Sequence, residues 1–340
     1  MAQPEREVFG TTETGETVYR VTITGGGLTA KIINWGAVIQ DLRMDGHDAP
    51  LVLGYPTFEP YPAHSPFFGA TPGRCSNRIG NGVFTLDGVG YQLDLNENGV
   101  SHLHGGFNNT AVSLWEFEEI AEDHVTLVIT DQEGRGGYPG NTVIRARYAL
   151  SGNGTLSVIY EAETDKATLA NLCNHSYFNL SGEETIFGHE LMIAAEHYLP
   201  TDDKLIPTGE LRPVDGTEFD FRVAKPIGQL GTDGLQVPYD SNFCLSSERG
   251  AKRKVVEAFS PVSGIRLSVA TTEAGVQFYA GVHVGDPAPG LADKPYGPYA
   301  GFCLETQVWP DAINHPGFPN AVLRPGETLV QDTDYIFEKA

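Results

Sequence analysis

The chain has 340 residues, with 22 Lys and Arg against 44 Asp and Glu, a formal net charge of −22. That balance argues against nucleic acid and anionic membrane surfaces as partners, because both select a basic face. Hydrophobic residues at 40% and charged residues at 19% are globular proportions, not those of a disordered chain. Met1 to Gly10 is charged and has no apolar core, and no run of about 18 apolar residues follows. Neither a signal peptide nor a membrane helix is expected, and the expected location is cytoplasmic. Four cysteines, at 75, 173, 244 and 303, form no Cys-x-x-Cys pair. They are expected to be free thiols in a reducing compartment.

In chain order, Val18 to Ile23 alternates and then turns at Gly25-Gly26-Gly27. Leu28 to Met44 is long enough for a helix, but Gly36 interrupts it and its β-branched content favours strands. Phe67 to Leu86 holds Arg74, Asn77 and Arg78 between glycines. His102-Leu103-His104-Gly105-Gly106 follows, and a strand there places His102 and His104 on one face. His-x-His is a possible metal pair, but no further close-spaced ligand follows, so no metal is expected. From Val125 to Ala162 apolar residues alternate with polar ones, as in Leu156, Val158, Tyr160 and Ala162. Glycine and proline turns separate these runs, and the pattern returns in Ile265, Leu267, Val269 and in Val276, Phe278, Ala280. Short alternating strands with regular turns predict an all-β sandwich. No Gly-rich phosphate loop and no Gly-x-Ser-x-Gly elbow is present.

Two stretches carry the chemistry. Asn171 to Leu180 packs three Asn, one His and one Tyr among apolar residues. As a strand it puts His175, Tyr177 and Asn179 on one face, and Ser176, Phe178 and Leu180 on the other. Asn is depleted in strands, so a buried polar network or a sugar site is indicated. Gly301 to Pro316 holds Glu305 in an apolar run that carries no other charge before Asp311. A carboxylate held partly out of water gains basicity, which suits a general base.

The chain resembles the aldose 1-epimerase family over nearly its whole length. The matching motifs are Gly73-Arg74-Cys75-Ser76-Asn77-Arg78-Ile79, His102-Leu103-His104-Gly105-Gly106, Asn174 to Leu180, Tyr239-Asp240-Ser241-Asn242-Phe243, Gly275-Val276-Gln277-Phe278-Tyr279 and Leu304-Glu305-Thr306-Gln307 before Trp309-Pro310-Asp311. Their joint occurrence in this order is specific. The resemblance implies one domain over 1–340, a large antiparallel β-sandwich of the galactose mutarotase-like type, with a sugar cleft on one sheet. It implies interconversion of the anomers of a free aldose with no metal and no organic cofactor. By motif, His175 is the general acid and Glu305 the general base, while Asn77, Arg78, His104, Asp240 and Gln277 hold the sugar. Cys75-Ser76 and Gly80 depart from the usual pattern at positions with no proposed chemical role.

Glu near its reference pKa of about 4.3 is ionised at neutral pH, and His near about 6.5 is protonated with little tuning. The rate is then expected to fall on the acid side as Glu305 protonates and on the alkaline side as His175 loses its proton. Three other readings use the same residues. A hexose-6-phosphate epimerase of this fold needs a cationic phosphate site, for which Arg74 and Arg78 are the available pair. A glycosidase needs two carboxylates, for which Glu305 and Asp240 are available. A non-catalytic carbohydrate-binding protein needs neither His175 nor Glu305.

Overall fold

The computed structural model describes residues 5–65, 67–231, 233–285 and 287–340. A nine-stranded antiparallel sheet forms the back of the molecule, ordered Lys225–Pro226, Glu190–Ile193, Arg253–Ser260, Ile265–Thr271, Leu329–Lys339, Thr155–Thr164, Thr142–Ser151, His124–Asp131 and Glu116–Ile120. Alternation sets its two faces. Ala146 lies opposite Tyr160 and Tyr148 opposite Val158, and all four are buried in the main core. Their neighbours point outward, as in the Arg145–Glu118 ion pair.

A six-stranded antiparallel sheet packs against this one, ordered Tyr177–Phe178, Phe302–Gln307, Gly275–Tyr279, Asp240–Cys244, His197–Tyr198 and Arg212–Pro213. Phe178, Phe302, Leu304, Val276, Phe278 and Phe243 fill the space between the two sheets. Burying a side chain of this size contributes about 1.5–3 kcal/mol. An N-terminal sheet of four strands, Glu7–Thr11, Thr17–Gly25, Leu28–Ile33 and Val38–Met44, adds Val21, Ile23, Ile32, Ile39 and Leu42 to the same core. The predicted all-β sandwich is the fold found. Among the described residues helix is limited to Pro60–His64 and short 3-10 turns.

Leu28 to Met44 forms two strands because the chain turns at Gly36, φ 64°, and Ala37, φ 47°. A Cβ on Gly36 would lie 2.3 Å from the Ala111 carbonyl oxygen, so only glycine fits there. The stretch 171–180 differs from the strand expected of it. Only Tyr177–Phe178 enters a ladder. Upstream, its backbone bonds instead to 69–76, with His175 N to Ala70 O, Gly69 N to His175 O and Asn171 N to Arg74 O. Arg74 to Arg78 and His175 are thereby fixed beside one another.

Candidate active site

Parity along the six-stranded sheet separates core from cleft. With Phe278 and Leu304 turned to the core, Gln277, Tyr279, Cys303 and Glu305 must face the other way. Register aligns Asn242, Gln277 and Glu305 in one row, and Asp240, Tyr279, Cys303 and Tyr177 in the next. Glu305 is 2% exposed and lies in an inner strand, not at an edge. The His175 ring stacks on Tyr177 with centroids 5.2 Å apart. Its Nε2 lies 3.7 Å from Glu305 Oε1. Two residues 130 positions apart in the chain, 305 − 175, thus share one site.

The short strand pair Arg78–Ile79 and His102–Leu103 carries the next group. Arg78 forms a two-pronged bond to Glu97, Nε to Oε2 at 2.8 Å and NH2 to Oε1 at 2.7 Å. Its NH1 lies 3.8 Å from Asp240 Oδ2. Asp240 Oδ1 accepts from Gln277 Nε2 at 2.6 Å, and Gln277 Oε1 has no partner among the described residues. Asn77 holds His104 by its backbone, with Asn77 N to His104 Nδ1 at 3.2 Å and His104 N to Asn77 O at 3.0 Å. The His104 ring meets His175 edge-on at 5.1 Å, and Phe67 packs on both rings. All seven residues singled out in the sequence therefore line one region: His175, Glu305, Asn77, Arg78, His104, Asp240 and Gln277.

Three sequence readings, one of them only the disfavoured phosphate-site alternative, are revised by the fold. His102 and His104 do not share a face. The strand ends at Leu103, and His104 takes φ 52°, which swings its ring away. His102 bonds Tyr138 Oη at 2.7 Å and the Asp94 carbonyl at 2.8 Å, a structural arrangement. A close turn enforces this, since a Cβ on Gly105 would lie 1.8 Å from Gly73 O. Arg74 and Arg78 do not form a phosphate site. Arg74 is 1% exposed and saturated by Asp131 and by the carbonyls of Asp131, Gln132, Pro139 and Gly140.

The third correction is electrostatic. Burial, aided by nearby Asp240, pushes Glu305 up to about 8, opposed by the Cys173 thiol and Arg78. Burial pushes His175 down to about 4. Glu305 moves in the direction expected of a carboxylate held out of water, but far enough to be protonated and not ionised at neutral pH, while His175 moves away from the easy protonation expected of it. Between those limits the pair holds one proton, which rests on the carboxyl. Burial also holds His104 well below its usual range, with His175 and Arg78 adding to the effect.

His104, His175 and Glu305 have candidate metal-ligand atoms within 4.8 Å of one another, so the fold supplies neighbours that sequence spacing did not. The hydrogen bonding does not suit a cation. His104 Nδ1 accepts the Asn77 N–H, so neutral His104 carries its proton on Nε2, a donor and not a ligand. Glu97, Cys173, Cys303 and Phe67 belong to the site but were not singled out. Glu97 has no sequence signal. The cysteines do, each standing two residues before a member of the His175–Glu305 pair.

A β-sandwich with a buried carboxyl–imidazole pair in a polar cleft has the equipment for general acid–base chemistry, which suits the class of isomerases that move protons. The aldose 1-epimerase family model matches residues 19–335, and the chain belongs to that family. It is 40% identical to the galactose mutarotase of Homo sapiens and 39% identical to that of Rattus norvegicus, over the whole of each chain. It is 35% identical to the aldose 1-epimerase of Escherichia coli K12, over 92% of each chain. Among solved structures, an aldose epimerase homologue from C. elegans has a TM-score of 0.89 at 30% identity, covering 94% of this chain and 99% of its own. A galactose 1-epimerase from Lactobacillus acidophilus has a TM-score of 0.86 at 29% identity, covering all of both chains.

Proposed function

We propose that this protein interconverts the α and β anomers of free aldoses such as galactose or glucose, with Glu305 and His175 as the proton-moving pair. The observation that carries this reading is the 3.7 Å approach of a buried imidazole to a buried carboxyl beside unsatisfied polar groups. Ring opening needs a base at the C1 hydroxyl and an acid at the ring oxygen. Glu305 takes the O1 proton, His175 Nε2 gives one to the ring oxygen, and the C1–O5 bond breaks. Rotation about C1–C2 turns the aldehyde over. Closure then returns both protons with the roles exchanged. The pair begins and ends with one proton, and no covalent intermediate is required.

Arg78, Asp240, Gln277, His104 and Asn77 are assigned to sugar binding. Gln277 Oε1 suits a hydroxyl donor, and His104 Nε2–H suits a hydroxyl oxygen. Hydroxyls donating to Glu305 favour its charged form, which shifts the resting proton toward His175 as the cleft fills. The four free thiols support a cytoplasmic setting.

The test is polarimetry on freshly dissolved α-galactose and α-glucose. Glu305→Gln and His175→Asn should each lower kcat by about 100-fold or more, and the double variant should be little worse than either. Mutarotation by folded Glu305→Gln at near the parent rate would remove this mechanism. The pH profile should form a plateau between limbs near 4 and 8. Below the first, His175 gains a second proton for the pair and no base remains. Above the second, Glu305 loses the only one and no acid remains. Such limbs belong to the pair and not to either residue alone.

A further inference from the structure

The stretch Asn171 to Leu180 and the strand Phe302–Gln307 each place a cysteine two residues before a proton-moving group, as Cys173-x-His175 and Cys303-x-Glu305. In the fold these are crossed. Cys173 Sγ lies 3.4 Å from Glu305 Oε2, and Cys303 Sγ lies 3.5 Å from His175 Nδ1. Both cysteines are 0% exposed. Each segment thus supplies one member of the pair and one thiol that touches the far atom of the other member.

We propose that Cys303 and Cys173 are reciprocal positioning residues: Cys303 sulfur holds the His175 Nδ1–H, and the Cys173 thiol donates to Glu305 Oε2. The proposal rests on the reading of His175 and Glu305 given above. Its logic is that Nε2 must both give and take a proton in one catalytic cycle. Nδ1 must then keep its hydrogen throughout, and that hydrogen needs a buried acceptor. A thiol sulfur is a weak acceptor. It orients the ring without adding the fixed negative charge of a carboxylate, which would raise His175 and trap the proton there. On the other side, the Cys173 S–H occupies Oε2 and leaves Oε1, the atom facing His175 Nε2, for the substrate.

Burial by itself keeps both thiols protonated, holding them well above the ordinary cysteine range, and the Glu305 carboxyl reinforces this. Other titratable or charged groups around the pair and its thiols are His104 and Tyr177 beside His175, and Asp240 and Arg78 beside Glu305. Tyr177 is also bonded to Cys303, and Tyr279, Tyr335 and Cys75 lie around the two thiols.

The decisive measurement is the tautomer of neutral His175, read by 15N-histidine NMR, with the resonance assigned by its loss in His175→Asn. Hydrogen on Nδ1 is expected, and hydrogen on Nε2 overturns the proposal. Cys303→Ala should lose this preference and lower kcat by about 10-fold with little change in KM, as expected for a group that orients another. Cys303→Ser, which keeps an acceptor, should restore most of the rate. Cys173→Ala removes a donor that favours the carboxylate. The alkaline limb of the pH profile should therefore move up by roughly 0.5–1 unit while the acid limb stays. Unchanged tautomer and rate in Cys303→Ala, or unmoved limbs in Cys173→Ala, count against it. If an alanine variant fails to fold, the tautomer in the parent protein still decides. The tautomer does not depend on turnover. An active Glu305→Gln would sink the catalytic reading while leaving the contact assignment to stand or fall alone.

Discussion

The two faces of the six-stranded sheet are built from alternate residues of the same strands, yet they follow opposite rules. On the core face, Phe243, Val276, Phe278, Phe302 and Leu304 are apolar, interlocked with the nine-stranded sheet and fully satisfied by contact. On the cleft face, Gln277 and Glu305 are polar and nearly as buried, Asp240 is half-buried, and Gln277 Oε1 and the Asn242 amide have no partner among the described residues. Burying polar groups without partners costs stability. The lesson is that the core face stabilises a sheet whose other face is costly to form, and that the cost falls on the residues of the proposed site.

The sharpest way to break this comparison is to truncate the core face. Phe278 is 0% exposed and touches Phe221, Tyr239 and Phe302 ring to ring. Phe278→Ala should destabilise the protein by about 3–5 kcal/mol in denaturant unfolding. The activity per folded molecule should change little. A large loss of kcat with intact stability would mean the two faces are not separable.

Next in size is the cleft face itself. Gln277→Ala removes the amide that donates to Asp240 at 2.6 Å and the free Oε1 beside it. Sugar binding should weaken by about 10-fold, near 1.4 kcal/mol, read as a rise in KM with kcat nearly unchanged. The melting temperature should move by only a few degrees, because Asp240 keeps Arg78 nearby and some contact with water. A collapse in stability would show that Gln277 belongs to the framework and not to the site.

This separation was legible in sequence where parity alone decides it. Alternation in Leu156 to Ala162 and in Val276 to Ala280 gave the strands and their faces, and a lone Glu305 in an apolar run pointed to a special carboxyl. What parity could not carry depended on single backbone angles or on depth. His102 and His104 parted because one residue, His104, leaves the strand at φ 52°. Arg74 and Arg78 lie four apart, yet one is sealed by Asp131 and the other opens on the cleft beside Glu97. The charge states of Glu305 and His175 depend on burial, which is a property of the assembled fold. The cysteine contacts were invisible for the same reason, since each crosses between segments more than a hundred residues apart.

The smallest effect sharpens the comparison most, because it measures the cost of the cleft face directly. Glu305 is raised from 4.5 to about 8 in the fold, so between these values the folded state binds the proton more tightly than the unfolded chain. A raised group lends stability at low pH that is lost as pH climbs through its folded value. His175, lowered from 6.5 to about 4, has the opposite slope between those two values. From pH 4.5 to 6.5 the two slopes oppose each other. From 6.5 to 8 Glu305 acts alone within the pair, and each pKa unit corresponds to about 1.4 kcal/mol. Glutamine at 305 cannot titrate, so Glu305→Gln should not suffer the decline from this site. Its melting temperature should therefore gain on the parent protein between pH 6.5 and 7.5, by an amount equivalent to about 1 kcal/mol. The two proteins should run nearly parallel below pH 4.5, where the Glu305 carboxyl is protonated in both folded and unfolded chains. A constant difference from pH 6.5 to 8 would mean that Glu305 does not titrate there, and that the resting proton of the pair lies on His175.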